Sequence, residues 1–308
     1  ASTTRGEQVD SYFGMEVPDP YRWLEDDLSS DTADWIAQQN ASTRSYIDAI
    51  SLRDDVKNTV AHLLDFERET APFIEGGKRY FYRNSGLQNQ QVLYRIDEDG
   101  GEVVFLDPNT FSEDGTVSMS SVNFSKDGSL VAYQLSEGGS DWRSILIRDV
   151  ATGDVLESPL VDVKFSGINW LGNEGFFYSS YDKPDGSELS ARTDQHKLYY
   201  HKLGTSQAQD KVIFGSTDKQ KHRYIGGSVS EDQRYLFISA SNTTSGNKLF
   251  MLDLQNLNAN IKPIVDHEDS DTYVLETVHD KLFLVTNLNA PNKKLVTAYV
   301  SRPTPNYW

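Results

Sequence analysis

The alternation of apolar and polar positions changes character once along this chain, near Pro72. Before it, apolar residues recur at three- and four-residue spacings. Trp35, Ile36, Tyr46 and Ile47 fall in one run that ends at Ile50; Val56, Val60, Leu63 and Leu64 fall in a second. The spacing predicts two helices. Ser30 or Asp31 would cap the first, and Asp54 would open the second, with Pro72 ending the pattern. After Pro72 the period becomes that of strands, and short β-branched or aromatic runs come in pairs. Tyr80-Phe81-Tyr82 goes with Val92-Leu93-Tyr94, and Leu130 to Tyr133 with Ile145-Leu146-Ile147. Phe176-Phe177-Tyr178 goes with Leu198-Tyr199-Tyr200, Tyr235 to Ile238 with Leu249-Phe250-Met251, and Leu282 to Val285 with Leu295-Val296-Thr297. Turn residues such as Lys126-Asp127-Gly128 and Glu231-Asp232-Gln233 precede several first members. The pairs recur about every 45 to 60 residues, the length of a four-stranded propeller blade. Stacking such units around an axis covers sheet faces that none could bury alone. A two-sheet sandwich is the alternative that the period alone leaves open.

Near the start stands Asp19-Pro20-Tyr21-Arg22-Trp23-Leu24-Glu25-Asp26. Asp19-Pro20 favours a turn, and Pro20 suits a first helical position, so a helix is expected here. A surface helix has no use for so much aromatic area, so this one is expected to dock on something.

Composition narrows the class. The 308 residues are 37% hydrophobic and 24% charged, enough for a sizeable core in one or two domains. The net charge of −17 disfavours a nucleic-acid or anionic-membrane partner. No run of about 18 apolar residues exists, so no transmembrane helix is expected. With no cysteine, a disulfide framework, a thiolate metal site and a cysteine nucleophile are excluded. The compartment stays open between cytoplasm and periplasm for what is expected to be a soluble protein. The chain begins at Ala1 rather than Met, which fits removal of a leader as well as trimming. Its end at Trp308 reads as an interruption rather than a domain boundary.

Catalytic patterns are missing. A serine hydrolase of the α/β type presents its nucleophile in Gly-x-Ser-x-Gly. Gly139-Ser140-Asp141 and Gly227-Ser228-Val229 come nearest, and both lack the second glycine. The six histidines (His62, His196, His201, His222, His267 and His279) show no metal spacing and read as structural or exposed. His196 and His201 would point to opposite faces of a regular strand. The acidic stretch from His267 to Asp271 lacks the glycine of a calcium loop. No cofactor and no metal are expected.

The strings DPYRWLED with YFG ahead of it, FLDPNTFSEDGT, FSKDG, GGSDW, VKFSGINW, NEGFFYSSYD, ARTDQHKLYYHKLGT and TNLNAPNKKLV occur in this order. In them the chain resembles the prolyl oligopeptidases, most closely the bacterial branch. These are serine peptidases that cut short peptides after proline. The resemblance implies a mainly β fold: about five blades of a seven-bladed β-propeller after an N-terminal helical arm, without the family's α/β-hydrolase domain. It divides the chain into residues 1–72, which would pack on that hydrolase domain, and an incomplete propeller at residues 73–308. The family's catalytic serine, aspartate and histidine would lie downstream of residue 308, so this chain is expected to be inactive alone. The implied partners are short proline-containing peptides and the absent hydrolase domain, with the propeller gating access.

The resemblance also implies site residues. Phe165, in VKFSGINW, matches an aromatic that lines the cavity shared by the two domains. Ile225 matches an apolar position nearby, and Thr243 falls where some relatives place a cysteine. Asp141, in GGSDW, matches a residue at the interdomain contact, and Trp23 would dock on the hydrolase surface. Substrate-contacting arginines of animal relatives correspond to Ser120 and Ala240, so those contacts do not carry over. From the residues alone, Phe165 reads as blade core, and Trp142 and Trp170 read as blade packing. The rival function is a stand-alone acidic propeller that binds and does not catalyse.

Overall fold

The computed structural model describes residues 2–184, 193–256 and 259–308. Ala191-Arg192, which open the ARTDQHKLYYHKLGT string, lie outside the described residues. Contacts group the chain into two compact units. One holds Ala1–Thr70 and Arg83–Asn89; the other holds Ala71–Tyr82, Gln90–Asp182 and Thr193–Trp308.

In the first unit, β1 (Val9–Tyr12) and β2 (Met15–Pro18) form a hairpin. Its turn residues Phe13 and Gly14 both have positive φ (52° and 85°), which matches the twist of the paired strands. The helix expected after Asp19-Pro20 is only one 3-10 turn, Arg22–Glu25. Arg22 is held by Asp10, Asp19 and Glu25, and Asp26 turns the chain by accepting from Leu28 N. Helix α1 (Ser30–Asp48) is capped by Ser29 rather than Ser30 or Asp31; Ser29 Oγ accepts from Asp31 N at 3.2 Å. Helix α2 (Arg53–Leu64) begins after Leu52, with Asp54 and Asp55 in its first turn where the dipole favours them. It stops at Leu64, well before Pro72, and gives way to β3 (Arg68–Glu69), which pairs with Asn84 and Arg83. Thr32 is the one buried residue of α1, and α2 has none. The apolar stripe Val56, Val60, Leu63, Leu64 therefore stands exposed.

The second unit is a series of antiparallel meanders whose strands pair in chain order. The first sheet has β4 (Phe73–Glu75), β5 (Lys78–Asn84), β6 (Val92–Ile96) and β7 (Glu102–Leu106). The second has β8 (Val117–Phe124), β9 (Leu130–Glu137), β10 (Trp142–Asp149) and β11 (Leu160–Lys164). The third has β12 (Asn169–Leu171), β13 (Gly175–Tyr181), β14 (His196–Lys202) and β15 (Lys211–Phe214). The fourth has β16 (Tyr224–Val229), β17 (Tyr235–Ser241), β18 (Lys248–Asp253) and β19 (Lys262–Val265). The fifth has β20 (Thr272–Val278), β21 (Lys281–Thr286) and β22 (Lys294–Tyr299). All five expected strand pairs are present as neighbours within one sheet.

First strands of successive sheets lie together, β8 with β12 and β12 with β16. Each gap between sheets holds its own apolar core. Tyr80, Leu93 and Tyr133 fill the first gap; Ile145, Leu160, Trp170 and Phe176 fill the second. Leu198, Ile225 and Leu236 fill the third; Tyr235, Leu249, Leu282 and Leu284 fill the fourth. This is the arrangement of propeller blades, and it explains the burial of individual strands. Every residue of β13 is buried, because a neighbour covers each of its faces. In β21, burial alternates strictly, because only the fourth sheet covers it. On the other face of the fifth sheet, Tyr273, Leu275, Leu295 and Tyr299 are exposed.

Turns between first and second strands repeat one device. In the second sheet, Ser125 Oγ accepts from Leu130 N while Asp127 accepts from Ser129 N; in the fourth, Ser230 and Asp232 do the same for Tyr235 and Arg234. These bonds, led by the Ser129 amide, hold the Asp127 carboxyl down at about 2. Gly128 must be glycine: a Cβ there would stand 2.4 Å from Gly76 Cα. At this end of the sheets, a cavity of about 490 Å³ is spanned by the Lys126–Glu231 ion pair.

Candidate functional site

At the opposite end of the second to fourth sheets, strand ends converge because each meander returns there. The register pairs Trp142 with Lys164, Tyr181 with His196 and Tyr224 with Ser241. Phe165 directly follows β11. Its side chain is 49% exposed, so it is not blade core. Its ring meets Tyr224 at 6.0 Å and Tyr181 edge-on at 6.3 Å. Its φ is +53°, a region unfavourable for a residue with a Cβ.

Such strain persists only where the surroundings over-determine it, and here they do. His196 Nε2–H donates to Lys164 O at 2.9 Å, Gln134 Nε2 donates to Ser166 O at 2.9 Å, and Ser166 Oγ accepts from Ser179 N at 2.8 Å. The carbonyls on either side of Phe165 are thus both fixed.

His196 is the centre of this arrangement. It is buried, and its Nδ1 accepts from Ile225 N at 2.8 Å. One imidazole therefore ties the backbone before Phe165 to the backbone at Ile225, and the two bonds dictate the neutral Nε2–H tautomer. Burial pushes its pKa down to about 4, against the smaller opposing effect of the bond to Lys164 O. Tyr181 stacks on the ring at 4.3 Å and donates its own hydroxyl hydrogen to Arg223 O.

The remaining expected residues fall in various places. Ile225 is only 2% exposed, with its side chain in the core between the third and fourth sheets. Thr243 is exposed on the loop after β17, beyond the Tyr224–Ser241 pair, and its hydroxyl donates to Ser245 O. Asp141 is exposed just before Trp142. Trp23 lies in the first unit, half-buried, with Nε1 donating to Thr4 O at 3.0 Å. Ala240 is fully buried. Ser120 accepts from Arg143 Nη1 at 2.8 Å, and the same nitrogen donates to Gln134 Oε1 at 3.1 Å.

Sequence reasoning passed over Arg143, Lys164 and the joining role of His196. Lys164 and Trp142 stood inside motifs already singled out, VKFSGINW and GGSDW. The structure places the Lys164 ammonium 4.9 Å from the Trp142 ring centre and 5.4 Å from that of Phe165.

Ser140 spends its oxygens within its own turn, where Oγ accepts from Trp142 N and the carbonyl accepts from Ser136. Ser228 lies within β16, paired with Phe237. Among the described residues no group of three His, Asp or Glu side chains is placed to hold a metal ion. The other charged cluster is internal. His201, on the face of β14 toward the second sheet, is bonded to Asp210 through Nδ1 (2.7 Å) and to Glu157 through Nε2 (2.6 Å). Tyr178 donates to the second Asp210 oxygen at 2.7 Å. Burial alone would lower the His201 pKa; the bonds and charges of Asp210 and Glu157 outweigh it, and the net shift is upward.

Fold and site together define blades of a β-propeller with a partly exposed aromatic cluster, Phe165, Tyr181 and Tyr224, at one end. The chain matches, over residues 1–308, the family model for the prolyl oligopeptidase N-terminal beta-propeller domain. It belongs to that family and corresponds to its N-terminal part. It is 51% identical over 307 residues to a prolyl endopeptidase of Elizabethkingia meningoseptica, covering 99% of this chain and 43% of that protein. A prolyl endopeptidase of Dictyostelium discoideum is 30% identical over 348 residues, 94% of this chain and 46% of the relative. Among solved structures, prolyl oligopeptidase B of Galerina marginata, bound to a 35mer hydrolysis and macrocyclization substrate, superposes with a TM-score of 0.83 at 28% identity. That alignment covers 98% of this chain and 46% of the other. The chain thus spans less than half the length of these relatives.

Proposed function

We propose that this chain is the propeller part of a serine-type prolyl endopeptidase that cleaves short peptides on the carboxyl side of proline. The propeller restricts access by size and forms one wall of the peptide pocket. The observation that carries this reading is Phe165. A half-exposed aromatic, held at unfavourable φ by bonds on both sides, is costly unless its position is used. Phe165 contacts the peptide, Thr243 borders the same surface, and Ile225 supports the wall from beneath through its backbone bond to His196.

In the longer protein, residues 1–72 form a helical segment that packs on the catalytic domain, and residues 73–308 form an incomplete propeller. The exposed stripe of α2 supports the first assignment, and the exposed outer face of the fifth sheet supports the second. Trp23 and Asp141 face the catalytic domain. The test is to express the longer protein carrying this chain and assay a fluorogenic peptide with an internal proline alongside its alanine counterpart. Cleavage confined to the proline peptide, with labelling by a serine-directed phosphonate, supports the reading. Absence of both, or equal cleavage of the two peptides, overturns it.

A further inference from the structure

We propose that Lys164 is the recognition cation for a carboxylate carried by the bound peptide, either its C-terminus or an acidic side chain. The inference rests on the peptidase reading above and adds a preference that this reading does not contain. Lys164 is 8% exposed, the last residue of β11. Its ammonium lies between the Trp142 and Phe165 rings, at 4.9 and 5.4 Å from their centres. Among the described residues no carboxylate comes within ion-pair distance of it. More exposed lysines nearby are paired: Lys197 with Asp182, Lys221 with Asp194, Lys248 with Asp266. The most buried of these lysines is thus the one with no carboxylate partner among the described residues.

The two ring contacts attract the ammonium without neutralising its charge, so the site can still take one anion. Arg143, on the adjacent strand, adds a second cation with neutral partners, Ser120 and Gln134. In a chain of net charge −17 this is an unusual local excess of positive charge. Asp141, beside Trp142, is exposed, and Asp162 stands two residues before Lys164 on β11; neither forms an ion pair with Lys164. The rings that flank the ammonium are apolar walls, suited to the body of a peptide. One wall is Phe165, already placed against that peptide. A peptide's amides are neutral, and only its carboxylates can complete the charge.

The experiment uses the longer protein and two peptide pairs, each containing proline. In one pair the C-terminus is a free acid or an amide. In the other a residue N-terminal to proline is Glu or Gln. The unmodified protein is expected to favour the carboxylate member of one pair about tenfold through KM. The pair that discriminates identifies the source. Lys164→Met should bring that ratio to near one, and 0.5 M salt should shrink it in the unmodified protein. Lys164→Arg should keep most of the preference, which guards against loss through misfolding of the Met variant. A preference that survives in Lys164→Met, or no preference in either pair, overturns the inference while leaving the peptidase reading standing. No cleavage of any proline peptide overturns both.

Discussion

Replacing His196 with Phe isolates two hydrogen bonds. Phe keeps the ring volume and the stacking on Tyr181 at 4.3 Å, but it can neither donate to Lys164 O nor accept from Ile225 N. Both backbone groups are then left buried without partners, at about 1–3 kcal/mol each, so the expected loss is about 2–6 kcal/mol. The pH dependence is a second signature. The folded-state pKa of His196 is lowered from 6.5 to about 4. Between those values the unfolded chain binds a proton that the folded chain refuses. Stability from this group is therefore fully present above pH 6.5 and is lost as pH falls toward about 4, in total about 3 kcal/mol. His196→Phe has no such group, so its deficit relative to the unmodified chain should shrink steadily from pH 7 to pH 4. Urea unfolding followed by tryptophan fluorescence at half-unit pH steps measures both effects. A loss below about 0.5 kcal/mol at pH 7, or a deficit that stays constant with pH, would refute the assignment of a neutral, doubly bonded imidazole.

His201 should give the opposite slope. Its folded pKa is raised, so its contribution is fully present below the unfolded value of 6.5 and is lost as pH rises through the folded value. Melting temperatures of His201→Asn and the unmodified chain should therefore differ more at pH 6 than at pH 9, and the reverse order would contradict the Asp210 and Glu157 contacts. Phe176→Ala, in the core between the second and third sheets, should cost about 3–5 kcal/mol in denaturant titration. Phe165→Ala should change stability by less than about 1 kcal/mol and raise KM in the longer protein; a core-sized loss with unchanged kinetics would return Phe165 to a packing role. The 308-residue chain alone should not turn over a fluorogenic proline peptide, since no Gly-x-Ser-x-Gly stands in it; active-site titration of purified chain decides this.

Much of the architecture was written in local pattern. Period-two runs located a pair of strands in each of the five sheets, because a blade strand must alternate or be apolar throughout, according to how many neighbours cover it. The helices were equally legible, but their ends were not. Ser29 took the cap expected of Ser30 or Asp31, because neighbouring side chains compete closely for the first free amides, and α2 stopped at Leu64, where Asp65 leaves the helical conformation, rather than running toward Pro72. At Asp19-Pro20 the turn and the proline suggested a helix, while the chain makes one 3-10 turn in which Arg22 pairs with Asp10 and Asp19.

For the site, sequence motifs pointed to Phe165 and to the strings containing Lys164 and Trp142. What it takes to make a surface of them was decided by tertiary structure. Lys164 and Trp142 are separated by a whole strand turn in sequence, yet they are register partners. His196 and Gln134 reach the Phe165 loop from different strands, and no periodicity encodes a side chain that bonds the backbone of two other sheets. Local spacing determines which face a residue shares with its own strand. Which backbone groups and charges meet between sheets depends on how the sheets stack, and only the folded chain specifies that.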